Sequence, residues 1–261
     1  MITTPAEPGD GSRTTPAPRT LAATLLSGRS SASVAREAGV AVADSYHVLA
    51  VRSAAAGHEP SAGHEPVSGG HIRAVRIELP AMISPQALAL ATEDGVTVLV
   101  PAEALAESSV DEVIGRFARR HAVPIVAVVH AHSAPEDLPD TAEQAWEIVD
   151  LVRRLRLPAG VYRFDDLALE YQLTRPGPGR DQLASLLDAL DEHPELIRTL
   201  RIHIANNLNR QRTARVLHIH PNTVDYRLKR IGELTGLDAN EAPGLWYLRS
   251  ALVVRGYADT E

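Results

Sequence analysis

The sequence predicts a two-domain protein, an α/β (α+β) sandwich domain followed by an all-α domain. Strand-sized apolar runs alternate with amphipathic helical patterns as far as about Leu173. The run Arg175-Pro176-Gly177-Pro178-Gly179 then cannot continue a helix or a central strand. Beyond this run the apolar residues recur only at helical spacing, so we place the domain boundary there.

This boundary divides the chain into four predicted segments. A tail at 1–19 is rich in Pro, Thr and Gly, and we expect it to be disordered. The N-terminal domain occupies 20–174, a linker 175–180 and the helical domain 181–257. The composition, with 44% apolar and 23% charged residues, allows each domain to bury a core of its own.

The N-terminal domain is predicted to contain five strands among short helices. The strands are expected at 46–51, 72–79, 96–100, 124–129 and 160–164. Simple helical patterns cover 21–26, 33–38 and 85–91, and 53–71 is expected to form a loop. Two further helices are predicted to begin at capping boxes, which are Ser109 with Glu112 and Asp140 with Glu143. Asp165 is expected to cap the helix after the last strand.

The C-terminal domain shows leucine-rich faces at helical spacing. Its last helix is predicted at 243–254. Two earlier helices are predicted from apolar positions that share a face. The first set is Leu183, Leu186, Leu187 and Leu190, and the second is Leu196, Leu200, Ile204 and Leu208.

Positive charge is concentrated in one segment of an acidic chain. The net charge is −7, yet 196–231 holds eight basic residues and one acid, Asp225. A local excess of Lys and Arg is typical of phosphate binding, and the alternative is a solvated charged face. The basic residues are Arg198, Arg201, Arg210, Arg212, Arg215, Arg227, Lys229 and Arg230.

A helix-turn-helix is predicted within this basic segment. Asn209 is a good N-cap for a short first helix, and Pro221 suits the first position of a second helix. Ala214, Ile219 and Val224 supply the small and apolar contacts that two crossed helices need. The turn between the helices often contains glycine, and this chain has His218 at the corresponding position.

The second helix is expected to present a polar face to solvent. With Val224 facing the core, Leu228 and Ile231 fall on the same side. The opposite side then carries amide, hydroxyl and cationic groups that can read base edges or hold phosphates. Arg227 lies near the inner edge and could instead form an ion pair inside the domain. The predicted DNA contacts are Arg210, Arg212, His220, Asn222, Thr223, Tyr226, Arg227, Lys229 and Arg230.

The run from Thr213 to Ile231, TARVLHIHPNTVDYRLKRI, resembles the C-terminal domain of PucR/CdaR-type regulators. The stretches ELIRTL at 195–200 and ELTGLD at 233–238 are also similar to that family. The resemblance implies a FIS-like helix-turn-helix that binds promoter DNA, often to activate catabolic or developmental genes. Pro221 and Asp225 depart from it, because the family usually has a basic residue at the first position and often one at the second.

The N-terminal region, 21–173, more weakly resembles the GGDEF-like domain that often precedes this reader. Active domains of that kind make a cyclic dinucleotide and hold magnesium through acidic residues on a central hairpin. The matching hairpin at 93–98 has Glu93, Asp94 and Gly95 but no Gly-Gly-Asp-Glu-Phe sequence. We therefore expect a degenerate, non-catalytic domain for sensing or dimerisation. A residual nucleotide cyclase and a regulator that acts only through protein contacts remain as alternatives.

Other features give expectations about cofactors, partners and compartment. The chain has no cysteine, which excludes disulfides, thiolate metal sites and cysteine nucleophiles. The repeat at 57–60 and 63–66 is interpreted as a loop insertion, and His130 and His132 as loop histidines, so no metal or cofactor is expected. We expect a cytoplasmic protein without a membrane partner. The expected partners are double-stranded promoter DNA and a second copy of the chain, with an unidentified small-molecule effector and RNA polymerase as further candidates.

Overall fold

The computed structural model describes residues 16–54, 69–93, 95–106 and 109–259. The chain divides into two compact units, each with a core of its own. The first unit comprises Met1–Asp150 with Pro158–Asp166, and the second comprises Leu151–Leu157 with Leu167–Glu261. The predicted linker at 175–180 therefore falls inside the second unit.

The first unit is built on a five-stranded mixed sheet. The strands are β1 (Tyr46–Ser53), β2 (Leu88–Ala91), β3 (Val96–Pro101), β4 (Ile125–Ser133) and β5 (Gly160–Arg163). Their order across the sheet is β2-β3-β1-β4-β5. All neighbours run antiparallel except β4 and β5, which are parallel. This arrangement confirms the predicted mixed α/β class.

Eleven α-helices are described along the chain. Those of the first unit, with α5 continuing into the second, are α1 (Pro16–Leu26), α2 (Ala32–Ala38), α3 (Gly69–Ile83), α4 (Val110–His121) and α5 (Leu138–Arg154). The helix α6 (Phe164–Thr174) begins in the first unit and continues into the second. The second unit then contains α7 (Pro178–Ser185), α8 (Pro194–Ala205), α9 (Arg210–Leu217), α10 (Pro221–Thr235) and α11 (Ala242–Ala258).

Helices cover both faces of the sheet, which explains why β1 is buried along almost its whole length. Leu49 packs in one cluster with Leu79 of α3 and Phe117 of α4. Its neighbour Val48 packs in another cluster with residues of α1 and α5, such as Leu138. Adjacent strand residues point to opposite faces, so each face of β1 has its own apolar layer.

Two predicted elements of the first unit are wrong. The segment 72–79 lies in helix α3 rather than in a strand, because its buried residues Val75, Leu79 and Ile83 are spaced by four. The segment 85–91 contains strand β2 rather than a helix, because Leu88 pairs with Leu99 of β3 in a hairpin. Tertiary pairing overrides the helical preference of the alanines there.

Several predicted boundaries also differ from the structure. Helix α1 begins at Pro16, inside the segment expected to be a disordered tail, and the rest of that tail lies outside the described residues. The Ser109 hydroxyl donates to the Ala106 carbonyl at 2.6 Å and makes no side-chain cap. Helix α5 begins at Leu138, ahead of the predicted capping residue. At the start of α6, Asp166 rather than Asp165 accepts from a backbone amide, that of Arg163, at 2.8 Å.

The second unit is helical throughout, as the sequence predicts. Leu187 and Leu190 follow α7 and pack in one core with Leu200 of α8, Val224 of α10 and residues of α9 and α11. Leu208 was expected to share the apolar face of α8. It lies instead beyond the helix end with φ +60° and is 42% exposed, because α8 ends at Ala205.

Among the residues described, no helix combines the length and the apolar content that crossing a bilayer requires.

Candidate nucleic-acid interface

Helix α9 begins at the predicted cap. The Asn209 side-chain Oδ1 accepts a hydrogen bond from the backbone amide of Arg212 at 2.9 Å. The Asn209 carbonyl accepts from both the amide and the hydroxyl of Thr213. The first turn of α9 therefore carries Arg210 and Arg212 beside free backbone amides, where the helix dipole is positive and anions are favoured.

In the turn after α9, histidines stand at the left-handed position and at the cap of the next helix. His218 adopts the left-handed conformation with φ +55°, a position that favours glycine. The amide of Ile219 then donates to the Ala214 carbonyl at 3.0 Å and ends the helix. His220 caps the next helix, since its Nδ1 accepts from the amide of Asn222 at 3.2 Å. Pro221 occupies the first helical position, as expected.

Helix α8 holds both helices of the motif through buried polar contacts. The Thr213 hydroxyl of α9 donates to the Asn209 carbonyl, so it accepts from the Nδ1–H of His203 at 3.2 Å. The Arg227 Nη1 of α10 donates to the Thr199 hydroxyl oxygen at 3.1 Å. Burial lowers the pKa of His203, and the nearby Asp225 carboxylate opposes this shift. Neutral His203 is therefore the form that links α8 to α9.

Helix α10 presents the predicted polar face to solvent. Val224, Leu228 and Ile231 are buried in the core of the second unit. Asn222, Tyr226 and Lys229 lie on the opposite side and are exposed, with Tyr226 68% accessible. The exposed side of α10 therefore offers an aromatic ring with its hydroxyl, an amide and an ammonium group.

Two of the cationic side chains near this surface are paired with acidic side chains. Arg210 Nη1 lies 2.8 Å from the Asp225 carboxylate, and Arg230 Nη1 lies 3.0 Å from the Glu233 carboxylate. Exposed pairs of this kind contribute about 0.2–1 kcal/mol, so a phosphate can replace the carboxylate. Across the part of the chain that the structure describes, Arg212 and Lys229 form no ion pair.

The nine predicted contact residues fall into three groups by burial and by the contacts they make. Arg227 is half-buried and donates to Thr199. Thr223 and Arg230 are half-buried at the flanks of α10. The remaining six are exposed, and they are Arg210, Arg212, His220, Asn222, Tyr226 and Lys229.

Sequence reasoning missed the residues that position the motif. Thr199 and His203 face the motif from α8. The polar pair on α8 could have been found from its spacing, because both residues lie on the same face as the buried Leu200. The partners of Thr199 and His203 depend on tertiary packing, which one sequence does not specify.

In the first unit, the residues weighed for metal binding are only partly covered by the structure. The Glu93 carbonyl accepts from Arg76 Nη2 at 3.1 Å, and Asp94 lies outside the described residues, as does the repeat at 57–66. Within the described ranges, no three His, Asp or Glu side chains are grouped as metal ligands. His130 and His132 lie inside β4, not in a loop after it, and burial lowers the pKa of His130.

Comparison with known proteins identifies the helical region. Residues 196–254 match the family described as the PucR C-terminal helix-turn-helix domain. This stretch contains most of α8, the whole α9–α10 motif and most of α11. The similarity to the PucR-type helix-turn-helix domain therefore lies within the second unit, whereas the GGDEF-like resemblance of the first unit stays a prediction.

Curated relatives are similar to this chain over short alignments. The protein YsfB of Bacillus subtilis is 35% identical over 106 residues, which are 40% of this chain and 28% of YsfB. The proline-responsive transcriptional activator PutR of the same organism is 42% identical over 59 residues, which are 22% of this chain and 14% of PutR. The carbohydrate diacid regulator of Escherichia coli is 46% identical over 52 residues, which are 20% of this chain and 14% of that regulator. The chain thus spans less than a third of the length of each relative.

Proposed function

We propose that this chain is a sequence-specific DNA-binding transcriptional regulator that reads promoter DNA with α10. The observation that carries the proposal is the exposed face of Asn222, Tyr226 and Lys229 within a region that matches the PucR helix-turn-helix domain. Two of the relatives that are similar to this chain over short alignments are named as a transcriptional activator and a regulator.

Helix α10 has dimensions that suit a major groove. A helix with its side chains is about 10–12 Å across, and the major groove of B-DNA is about 12 Å wide. The N-terminal residues of such a helix contact base edges. Asn222 therefore reads a base, with an amide suited to adenine, and Tyr226, one helical turn further along α10, contacts the same groove. His220 and Thr223 flank this contact.

The cations around α10 hold the phosphates. Arg210 and Arg212 act from the first turn of α9, where their guanidinium groups and the free amides together favour an anion. Lys229 acts from the exposed side of α10, and Arg230 acts from its flank. Arg227 positions α10 rather than contacting DNA, because its guanidinium donates to the Thr199 hydroxyl.

The partners proposed for the whole protein follow from the helix-turn-helix motif. Helix-turn-helix proteins commonly bind as dimers whose two readers are separated by about one helical turn of DNA. We propose a homodimer of this chain on paired half-sites, with the first unit responsible for sensing or dimerisation. RNA polymerase is the partner through which promoter binding would change transcription.

A regulator that acts through protein contacts is the second candidate. It is favoured by one observation, the ion pair in which Asp225 neutralises Arg210 on the reading side of the motif. The remaining cations, among them Arg212 and Lys229, favour DNA. A residual nucleotide cyclase has less support, because the hairpin at 93–98 lacks the catalytic sequence.

Salt dependence of DNA binding separates these candidates. Fragments selected from host DNA by the full chain would be labelled and titrated between about 50 and 200 mM salt. We expect steep weakening with salt, and Lys229→Ala should reduce the slope of log affinity against log salt by about 0.9. The matched control, Arg116→Ala, removes an exposed arginine of α4 and should leave binding unchanged.

Two results would contradict the proposal. One is the absence of any bound DNA at the lowest salt concentration. The other is an equal change in salt slope for Lys229→Ala and for the control, which would mean that the charge of α10 has no special part in binding.

A further inference from the structure

A cavity of about 480 Å³ lies within the second unit, and its lining includes no residue of the α9–α10 motif. Its walls come from 154–157 at the end of α5, from α6, from α8 and from α11. All of these lining residues belong to the second unit. The volume lies within the range of about 300–1,000 Å³ that is usual for small-molecule sites.

The lining combines cations with apolar side chains. Four arginines and two acidic residues line the cavity, which leaves an excess of positive charge. The apolar part of the wall includes Leu155, Leu167 and Leu252. The charged side chains are Arg154, Arg156, Arg201, Arg249, Glu170 and Asp259.

Two of the four arginines have other contacts. Arg154 stacks on the ring of Tyr257 at 4.7 Å and donates to its carbonyl. Arg201 lies 3.9 Å from the Asp259 carboxylate. In the portion of the chain covered by the structure, Arg156 and Arg249 make no ion pair. These two guanidinium groups are available to an anion.

The backbone of Arg156 ends helix α5 in the left-handed conformation, with φ +52°. The amide of Leu157 donates to the Val152 carbonyl at 2.9 Å, so Arg156 takes the usual place of a helix-ending glycine. Ala122 and His218 end α4 and α9 in the same conformation, so this backbone is a local helix ending. Its contribution to the site is an exposed arginine on the wall of the cavity.

The cavity and the reading motif lie on different faces of α8. Thr199 and His203 face the motif. Arg201 and Ala205 line the cavity, and at about 100° per residue they point away from those two side chains. A molecule in the cavity therefore does not compete with DNA for the surface of α10.

We propose that this cavity binds an amphipathic organic anion, with a carboxylate or phosphate group at Arg156 and Arg249 and an apolar body against the leucines. Guanidinium groups bind both kinds of head group through paired hydrogen bonds. The apolar walls exclude a bare inorganic ion as the best ligand, because such an ion would leave them without a partner.

Occupation of this cavity changes DNA affinity, a consequence that rests on the proposed function. Helix α8 forms one wall of the cavity and also holds α9 through His203 and α10 through Thr199. Because Arg201 and Ala205 of α8 line the same cavity, a bound ligand acts on the helix that holds both helices of the motif.

Calorimetric titration of the full chain tests the site itself. The probes are octanoate, octyl phosphate and neutral octanamide. At least one anion should bind about tenfold more tightly than the amide, and the better of the two identifies the head group. Arg249→Gln should weaken that anion by about tenfold, whereas Arg180→Gln, outside the cavity, should not change it.

Arg156→Gly keeps the test valid if the other variant unfolds. Glycine relieves the left-handed backbone, so a merely structural Arg156 predicts an unchanged or higher unfolding midpoint and unchanged binding. We expect the unfolding midpoint to be kept and anion binding to be lost. Equal binding of anion and amide, or unaltered anion binding in both variants, would overturn the assignment.

The two proposals fail separately. DNA titration with and without the bound anion should show a change of at least about threefold in affinity, which Arg156→Gly abolishes. Anion binding without any DNA binding would leave the cavity assigned and remove the reader. DNA binding that is the same with and without the anion would refute the coupling.

Discussion

At the scale of single residues, arginines that look alike in the sequence differ in what they can do. Arg227 lies near the inner edge of α10 and donates to Thr199. Arg210 is exposed and paired with Asp225, and Arg212 is exposed beside the capped start of α9. The edge position of Arg227 was visible from helical periodicity, whereas its partner on α8 was not.

The buried His203 predicts how stability depends on pH. Burial lowers its pKa in the folded state, so the unfolded chain binds a proton more readily. Stability should therefore fall as pH decreases through about 6.5, the ordinary histidine value, and continue to fall toward the lower folded pKa. Urea unfolding between pH 7.5 and pH 5, followed by the circular dichroism of the helices, measures this change.

His203→Gln provides the control for that titration. Glutamine can still donate to the Thr213 hydroxyl but does not titrate in this range. The variant should lose less stability on acidification than the unaltered protein. The same loss in both proteins would show that His203 has no part in the pH dependence.

At the scale of secondary structure, the sequence predicts α9 and α10 well because their signals are local. The Asn209 cap, Pro221 at the first position of α10 and the apolar side of α10 are all as expected. Each of these signals depends on residues within one or two turns.

The elements that were predicted wrongly depend on distant partners. Strand β2 exists through its pairing with β3, where Leu88 lies opposite Leu99. Helix α3 contains Pro80 and β-branched residues, which made it resemble a strand. Only its packing against β1 and α4 explains its helical form, and that packing is not local.

Gly244 tests the packing of α11. A Cβ at this residue would lie 2.2 Å from the Asp238 carbonyl oxygen, a backbone atom that cannot easily move. Gly244→Ala should therefore lower the free energy of unfolding by about 1–3 kcal/mol, despite the better helix propensity of alanine. Chemical denaturation of the two proteins gives the difference.

Gly232 of α10 is the matched control for that substitution. Its added Cβ would meet the Leu237 carbonyl oxygen at 3.6 Å, an ordinary contact. Gly232→Ala should thus leave stability unchanged or raise it by up to about 1 kcal/mol. Equal destabilisation by both substitutions would contradict the tight approach of α11 to Asp238.

At the scale of the whole molecule, the positive charge is concentrated in one segment although the net charge of the chain is negative. The chain has a net charge of −7, while 196–231 carries eight basic residues and one acid. An acidic protein with one basic segment is kept from binding phosphates elsewhere, which favours use of that segment. The sequence alone was sufficient to locate this segment, because charge distribution does not depend on the fold.

The cavity of the second unit could not be predicted from the sequence. Arg156 and Arg249 are far apart in the chain, and only the packing of helices within the second unit brings both to one cavity. The assignment of 151–157 to this unit likewise depends on tertiary contacts. Sequence reasoning therefore proposed an effector without a site for it.

Selection from a random DNA library tests the central claim most directly. The full chain should enrich a defined sequence, because α10 exposes Asn222 in its first turn, where recognition helices of this kind contact bases. Asn222→Ala should lose the preference at one base position of each half-site, a change of about 1–3 kcal/mol, while other positions are kept. Enrichment of no sequence, or of the same sequence with the same preference at every position, would contradict a reader built on α10.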